Sequence, residues 1–208
     1  MSSSSPITAL MLKSFELIRP YRNIRPFKLK FSPGLNIIVG ENGSGKSTML
    51  ALIIKDAPVA TDVAKICKLT VTPGTKYRFL DTERQNPRVQ HRLPNDPKLF
   101  NFTVASHFCS HGESIMPLVR AIKSFKDELV LIDEPEAGIS LSNQFKLAEL
   151  FEQVAKHNQV VVTTHSYVLI RRVKKVYDLD SRLWTNSKSY LSKLEKKWTK
   201  TNGKSSKQ

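Results

Sequence analysis

The nine residues GENGSGKST, 40 to 48, carry the residue types most suited to chemistry. Gly40, Gly45, Lys46 and Ser47 satisfy the spacing G-x-x-x-x-G-K-[ST], with Glu41, Asn42, Gly43 and Ser44 between them and Thr48 following. Glycine lets a backbone fold tightly enough for its N–H groups to surround phosphate oxygens. A helix opening at Lys46 would aim the positive end of its dipole at the same oxygens. Lys46 would then reach the β- and γ-phosphates of a nucleoside triphosphate, and the Ser47 hydroxyl would ligate Mg²⁺.

Two further stretches end in groups that could act on a bound triphosphate. ELVLIDEPEAG places Asp133 and Glu134 directly after an apolar run. In a parallel sheet, ligands gather at the carboxyl ends of strands, so both carboxylates should face the crevice of the phosphate loop. Asp133 could hold a water of the Mg²⁺ shell, and Glu134 could polarise an attacking water as general base. VVVTTHS ends a third apolar run at His165, 32 residues past Asp133, where an imidazole could contact a γ-phosphate and sense the nucleotide.

The elements that must position these groups are legible in outline. From 10 to 39, apolar and polar residues roughly alternate, then give way to LNIIV, which predicts two strands around the basic loop RPYRNIRP and a buried strand ending at Val39. KSTMLALIIK has helical spacing, and KLTVTPGTKYRFL reads as a β-hairpin turning at Pro73-Gly74. Residues 82 to 98 are polar and proline-punctuated, hence loop, and ESIMPLVRAIKSF predicts a helix with Pro117 in its first turn. ELVLID and QVVVTT predict buried strands, and 141 to 156 a helix with Phe145, Ala148, Phe151 and Ala155 on one face. Strands alternating with helices predict an α/β fold with a mostly parallel central sheet and an antiparallel β part.

Bulk properties point toward a polyanionic partner. The formal charge is +15 over 208 residues, and residues 187 to 208 hold seven lysines against Glu195. Arg19, Arg22 and Arg25 recur in one loop, and Arg171, Arg172, Lys174 and Lys175 form a second cluster. Such a balance favours nucleic acid or an anionic membrane surface, and these seven residues are the nucleic-acid candidates. No window approaches the length of a membrane span, and the start, MSSSSPITALML, lacks a signal-peptide pattern, so the expected location is cytoplasmic. Cys67 and Cys109 are far apart, which suits a reducing compartment. The expected organisation is a disordered start over 1–6, one domain over 7–186, and a basic flexible tail over 187–208 in which Tyr190, Leu191, Leu194 and Trp198 could line one side of a short helix.

HFCSHGESIM, 107 to 116, admits two readings from its residues alone. His107, Cys109 and His111 could mark a metal site, or Ser110 to Glu113 could be a polar loop opening a helix. Order and spacing along the chain decide between them: a phosphate loop, a Ser-x-Gly loop 64 residues after Lys46, an Asp-Glu strand end 23 residues further on, then a strand ending in histidine. Over roughly residues 10 to 180 this set resembles the ABC-type ATPases. The resemblance implies an ATP- and Mg²⁺-dependent ATPase that forms a head-to-tail homodimer. Ser110, His111, Gly112 and Glu113 would be the signature loop that caps ATP held by the other subunit, and Ala137, Gly138, Ile139 and Ser140 the loop that touches it. Gln85, with Gln90 as alternative, is the candidate for the family's glutamine loop at Mg²⁺, and Phe15, Tyr21 and Phe27 are candidates to stack on adenine.

Gly-Glu in the signature and Asp-Glu-Pro-Glu at the strand end look more like the DNA-repair and chromosome-maintenance branch than the transporter form, without room for that branch's coiled-coil arms. Three jobs follow as expectations: an ATPase acting on nucleic acid, a regulatory ATPase controlling a separate effector protein, and the ATP-binding subunit of a transporter.

Overall fold

The structure is a computed structural model and describes residues 11–54, 63–81 and 122–202. Strands β1 (Leu12–Leu17), β2 (Phe27–Lys30) and β3 (Leu35–Val39) precede helix α1 (Lys46–Ile53). A short helix α2 (Val63–Ile66) leads into β4 (Cys67–Val71) and β5 (Lys76–Asp81). Beyond the next stretch come β6 (Glu128–Asp133), α3 (Leu141–Val154), β7 (Gln159–Thr163), α4 (Tyr167–Arg172), β8 (Lys175–Asp178), β9 (Leu183–Asn186) and α5 (Ser187–Asn202).

Six strands form the central sheet in the order β5-β6-β7-β3-β8-β9, parallel except where β9 returns against β8. A smaller antiparallel sheet has the order β2-β1-β4. The apolar runs of the parallel strands split between two cores because successive side chains point to opposite faces. Ile37, Val130, Ile132, Val160 and Val162 pack with α3, α4 and α5 on one face. Ile38, Leu129, Leu131 and Val161 pack with α1 and the antiparallel sheet on the other. A sheet covered on both faces is what continuous Val/Ile/Leu runs encode.

Gln159 joins the two sheets. It opens β7 with no exposed surface; its Oε1 accepts from Met11 N (3.0 Å) and Leu12 N (2.6 Å), and its Nε2 donates to Leu12 O (2.9 Å) and Ser32 O (3.1 Å). Gln159→Leu strands these backbone groups in the core and is expected to lower stability by about 3 kcal/mol in urea denaturation.

Three expectations need correction. β4 and β5 flank the turn at Pro73-Gly74 without forming a hairpin: β4 pairs with β1 and β5 runs parallel to β6, so the chain changes sheets there. In α3 the buried face is Leu147, Ala148, Leu150, Phe151 and Val154, while Phe145 is half exposed. Residues 187–202 are a helix rather than a flexible tail, as the spacing of Tyr190, Leu191, Leu194 and Trp198 allowed; its first turns are anchored by the buried Tyr190 and Leu191, with Leu194 and Trp198 on the same side but exposed. No helix among the described residues is long and apolar enough to cross a membrane.

Candidate nucleotide site

The three sequence motifs meet beyond the carboxyl ends of β3, β6 and β7. Leaving Val39, the chain turns through Gly40–Gly45 into α1. Gly45 sits at φ +98°, and a Cβ there would lie 2.2 Å from Ile24 Cδ1, so the cradle admits only glycine at this point. Lys46 is buried, and its Nζ donates to the carbonyls of Gly40 (3.2 Å) and Glu41 (3.3 Å). The same Nζ is 2.7 Å from His165 Nε2 and 3.6 Å from Glu134 Oε1, and the latter two atoms are 3.3 Å apart. An ammonium only donates, so in its contact with Lys46 the His165 Nε2 stands as acceptor.

A cavity of ≈490 Å³ opens over this point. Asn42, Gly43 and Gly45 to Thr48 line one side, Glu134 another, and Arg22, Asn23 and Ile24 a third. A glycine cradle, a buried lysine and the N-terminus of α1 together fit a triphosphate. The exposed Ser47 hydroxyl and the buried Asp133 carboxylate are hard oxygen donors of the kind Mg²⁺ takes alongside phosphate and water.

Thr163 organises the acidic strand end. Its hydroxyl donates to Asp133 Oδ1, and its Oγ1 and carbonyl oxygen both accept from Glu134 N, at 3.3 and 3.1 Å. These bonds hold Glu134 at φ +42°, a left-handed conformation that glutamate rarely adopts and that costs on the order of 1–3 kcal/mol unless its surroundings enforce it. Strain of this kind concentrates where a side chain must be aimed.

Glu136 follows on the same turn. Its Oε1 accepts from the backbone amides of His165 and Ser166, the latter at 3.1 Å, while Oε2 is buried without a hydrogen-bond partner. Burial pushes its carboxyl above the ordinary range, against the nearby Thr164 hydroxyl and the His165 amide, and the nearby Glu134 carboxylate adds to the rise. Neither Thr163 nor Glu136 was among the expected site residues; the signal for the first was its place directly across β6 from Asp133, which needs the strand register.

The remaining sequence candidates divide. Arg22, one of the nucleic-acid candidates, lines the cavity over Lys46; it is held at φ +50° by a turn closed between Tyr21 and Ile24, with its guanidinium 5.8 Å from the Tyr21 ring centroid. Phe15 and Phe27 are buried against each other in the core, with Phe27 stacked on Tyr177, which withdraws both from adenine and leaves Tyr21 as the remaining candidate aromatic. Ala137, Gly138 and Ser140 are exposed, but Ile139 is a core residue, and Ser140 caps α3 by accepting from Asn143 N (3.4 Å).

Of the other basic candidates, Arg172 is engaged by Glu149 (3.2 Å) and Glu152 (3.8 Å), Arg171 lies over Tyr167 and Lys175 over Trp184. Arg19, Arg25 and Lys174 are exposed. The stretch Ser110–Glu113, His107, Cys109, Gln85 and Gln90 lie outside the described residues. Cys67 is buried and carries no disulfide.

The chain is similar to known ATPase domains. Residues 101–171 match the family described as "AAA domain, putative AbiEii toxin, Type IV TA system", and residues 15–54 match a second AAA-domain family. A "Putative ABC transporter ATP-binding protein" of Methanosarcina acetivorans is 23% identical over 205 residues, covering 78% of this chain and 74% of the relative. The DNA replication and repair protein RecF of Shigella dysenteriae is 57% identical over 37 residues, which are 18% of this chain and 10% of RecF. The SMC head domain from Thermotoga maritima shares the fold, with a TM-score of 0.54 at 17% identity and coverage of 81% of this chain and 94% of that one. The chain is thus an ATPase domain of the AAA/ABC P-loop class.

Proposed function

We propose that this ATPase is a cytoplasmic, ATP-dependent head-to-tail homodimer that acts on nucleic acid, with DNA the preferred form. The observation that carries the ATPase chemistry is the approach of Lys46, Glu134 and His165 to within 4 Å of one another. In this reading the loop Gly40–Thr48 binds the phosphates of ATP, and Lys46 bridges the β- and γ-phosphates. Ser47 and Asp133 would hold Mg²⁺, which would supply positive charge against the phosphates. Glu134 would take the proton of the attacking water, and His165, next to it, would contact the γ-phosphate. Arg22 adds a second cation to the cavity. Arg22→Ala is expected to weaken ATP binding roughly 10-fold, the scale of one charged hydrogen bond, in a nucleotide titration.

The dimer reading is supported by the exposure of Ala137 and Gly138 next to Glu134, on the turn that would meet a second copy. The domain would span 7–186, with α5 docked on it as a basic appendage. The nucleic-acid reading is supported by the likeness to SMC and RecF proteins and by the lysines of α5. Lys188, Lys193, Lys196 and Lys197 line one open groove of ≈790 Å³, in which Lys197 also bonds Glu41 of the phosphate loop and Lys193 lies 4.0 Å from Asp178. Arg19, Arg25 and Lys174 would add phosphate contacts.

Duplex DNA binding should weaken roughly 10²-fold or more between about 50 and 200 mM salt, as expected for several phosphate contacts. Lys188→Glu/Lys196→Glu should weaken it further at fixed salt and leave ATP binding unchanged. An affinity indifferent to salt overturns the nucleic-acid reading. The family description's toxin system then favours the second reading, a regulatory ATPase acting on a separate effector protein.

A further inference from the structure

Glu136 takes no part in the chemistry above, yet it joins the two halves of the site. Its Oε1 accepts two consecutive main-chain amides, His165 N and Ser166 N. Ser166 is tied a second time through its hydroxyl, which donates to Gln144 Oε1 (2.7 Å) in α3 and accepts from Leu169 N (3.2 Å) in α4. Glu136 therefore clamps the segment after β7 onto the turn after β6. Its other oxygen is buried without a partner, a cost that an ordinary surface turn would avoid by turning the side chain out to water. The His165 ring is itself more than a third exposed, so what holds it is its contact with Lys46 and the backbone at 165 and 166.

We propose that Glu136 is a positioning residue for ATP hydrolysis: by fixing the amides of His165 and Ser166, it sets the His165 imidazole against Lys46 and Glu134 and ties it to the exposed turn Ala137-Gly138. The inference rests on the ATPase reading of Lys46, Glu134 and His165. Removing the acceptor frees the His165 amide, leaves the Ser166 amide with only Thr164 Oγ1 (2.9 Å), and lets the imidazole drift; a displacement of about 1 Å in a positioned group can cost on the order of 100-fold in rate. ATP binding, carried by the phosphate loop, is not expected to change.

The test is a double-mutant cycle on kcat and ATP affinity, with thermal melts of every variant. Glu136→Met fills the volume without an acceptor and should lower kcat on the order of 10- to 100-fold, with ATP affinity within about threefold of native. Glu136→Gln keeps an acceptor oxygen for both amides and should retain kcat within about threefold. Because Glu136 acts through His165, Glu136→Met/His165→Ala should be no slower than His165→Ala alone.

A native kcat for Glu136→Met overturns the proposal. So does a double variant whose loss is the product of the two single losses, the signature of an independent structural role. If Glu136→Met does not fold, Glu136→Ala enters the same cycle with the same two outcomes. A native kcat for His165→Ala removes His165 from the reaction and this role with it, whereas ATP binding by Lys46→Ala at native affinity would sink the reading of the site as a whole.

Discussion

Glu134→Gln is expected to bind Mg-ATP at least as tightly as the native chain and to hydrolyse it about 10²- to 10⁴-fold more slowly. The amide has the shape of the carboxyl group but cannot take a proton from water at neutral pH. Its backbone restraints survive the change, since the left-handed conformation at 134 is held by Glu134 N donating to Thr163, not by the side chain. Binding holds or improves because the substitution removes a negative charge 3.6 Å from Lys46 Nζ and 3.3 Å from His165 Nε2, where phosphate charge would arrive. Single-turnover hydrolysis with labelled ATP measures the effect. A native rate would mean that the proton goes elsewhere.

Lys46→Ala is expected to lose ATP affinity by about 10²- to 10³-fold, the consequence of removing a buried cation from its anionic partner. Two losses combine. The ammonium that would bridge the phosphates also donates to the carbonyls of Gly40 and Glu41, so its removal loosens the loop as well. Lys46→Arg should not restore binding, because the side chain is buried and the planar guanidinium needs a wider seat than the ammonium. Calorimetric titration of ATP into each variant decides the matter, and tight binding by Lys46→Ala would contradict the reading of the cradle.

The carboxyl edge of the sheet was legible because it is written in local signals. Parallel strands buried on both faces read as unbroken apolar runs, and the polar residue that ends each run stands at the sheet's carboxyl edge. That logic alone places Lys46, Asp133, Glu134 and His165 together. Where long-range pairing decides, local signals mislead. The Pro73-Gly74 turn looks the same whether its flanking strands join each other or, as here, separate into two sheets. Arg22 reads as one of three equivalent arginines in a basic loop, and only the fold of that loop, closed by Tyr21 and Ile24, turns it into the nucleotide cavity.

Helical period found the buried side of α3 but not its edge: Ala148 and Phe151 are buried and Ala155 packs against the core, while Phe145 is half exposed because the covered face is centred on Leu147, Leu150, Phe151 and Val154. A lysine-rich stretch suggested a solvated tail, yet Tyr190 and Leu191 supply enough apolar surface in its first turns to anchor a helix. Thr163 and Glu136 were invisible because their roles depend on which strand stands beside which.

The most direct test of the account is the mass of Glu134→Gln by size-exclusion chromatography with light scattering, with and without Mg-ATP. A slowly hydrolysing ATPase whose site is completed by a second copy should double its mass when Mg-ATP is added and return to a single chain without it. A single chain in both conditions, with ATP shown to be bound, would contradict the claim that two copies close over the nucleotide.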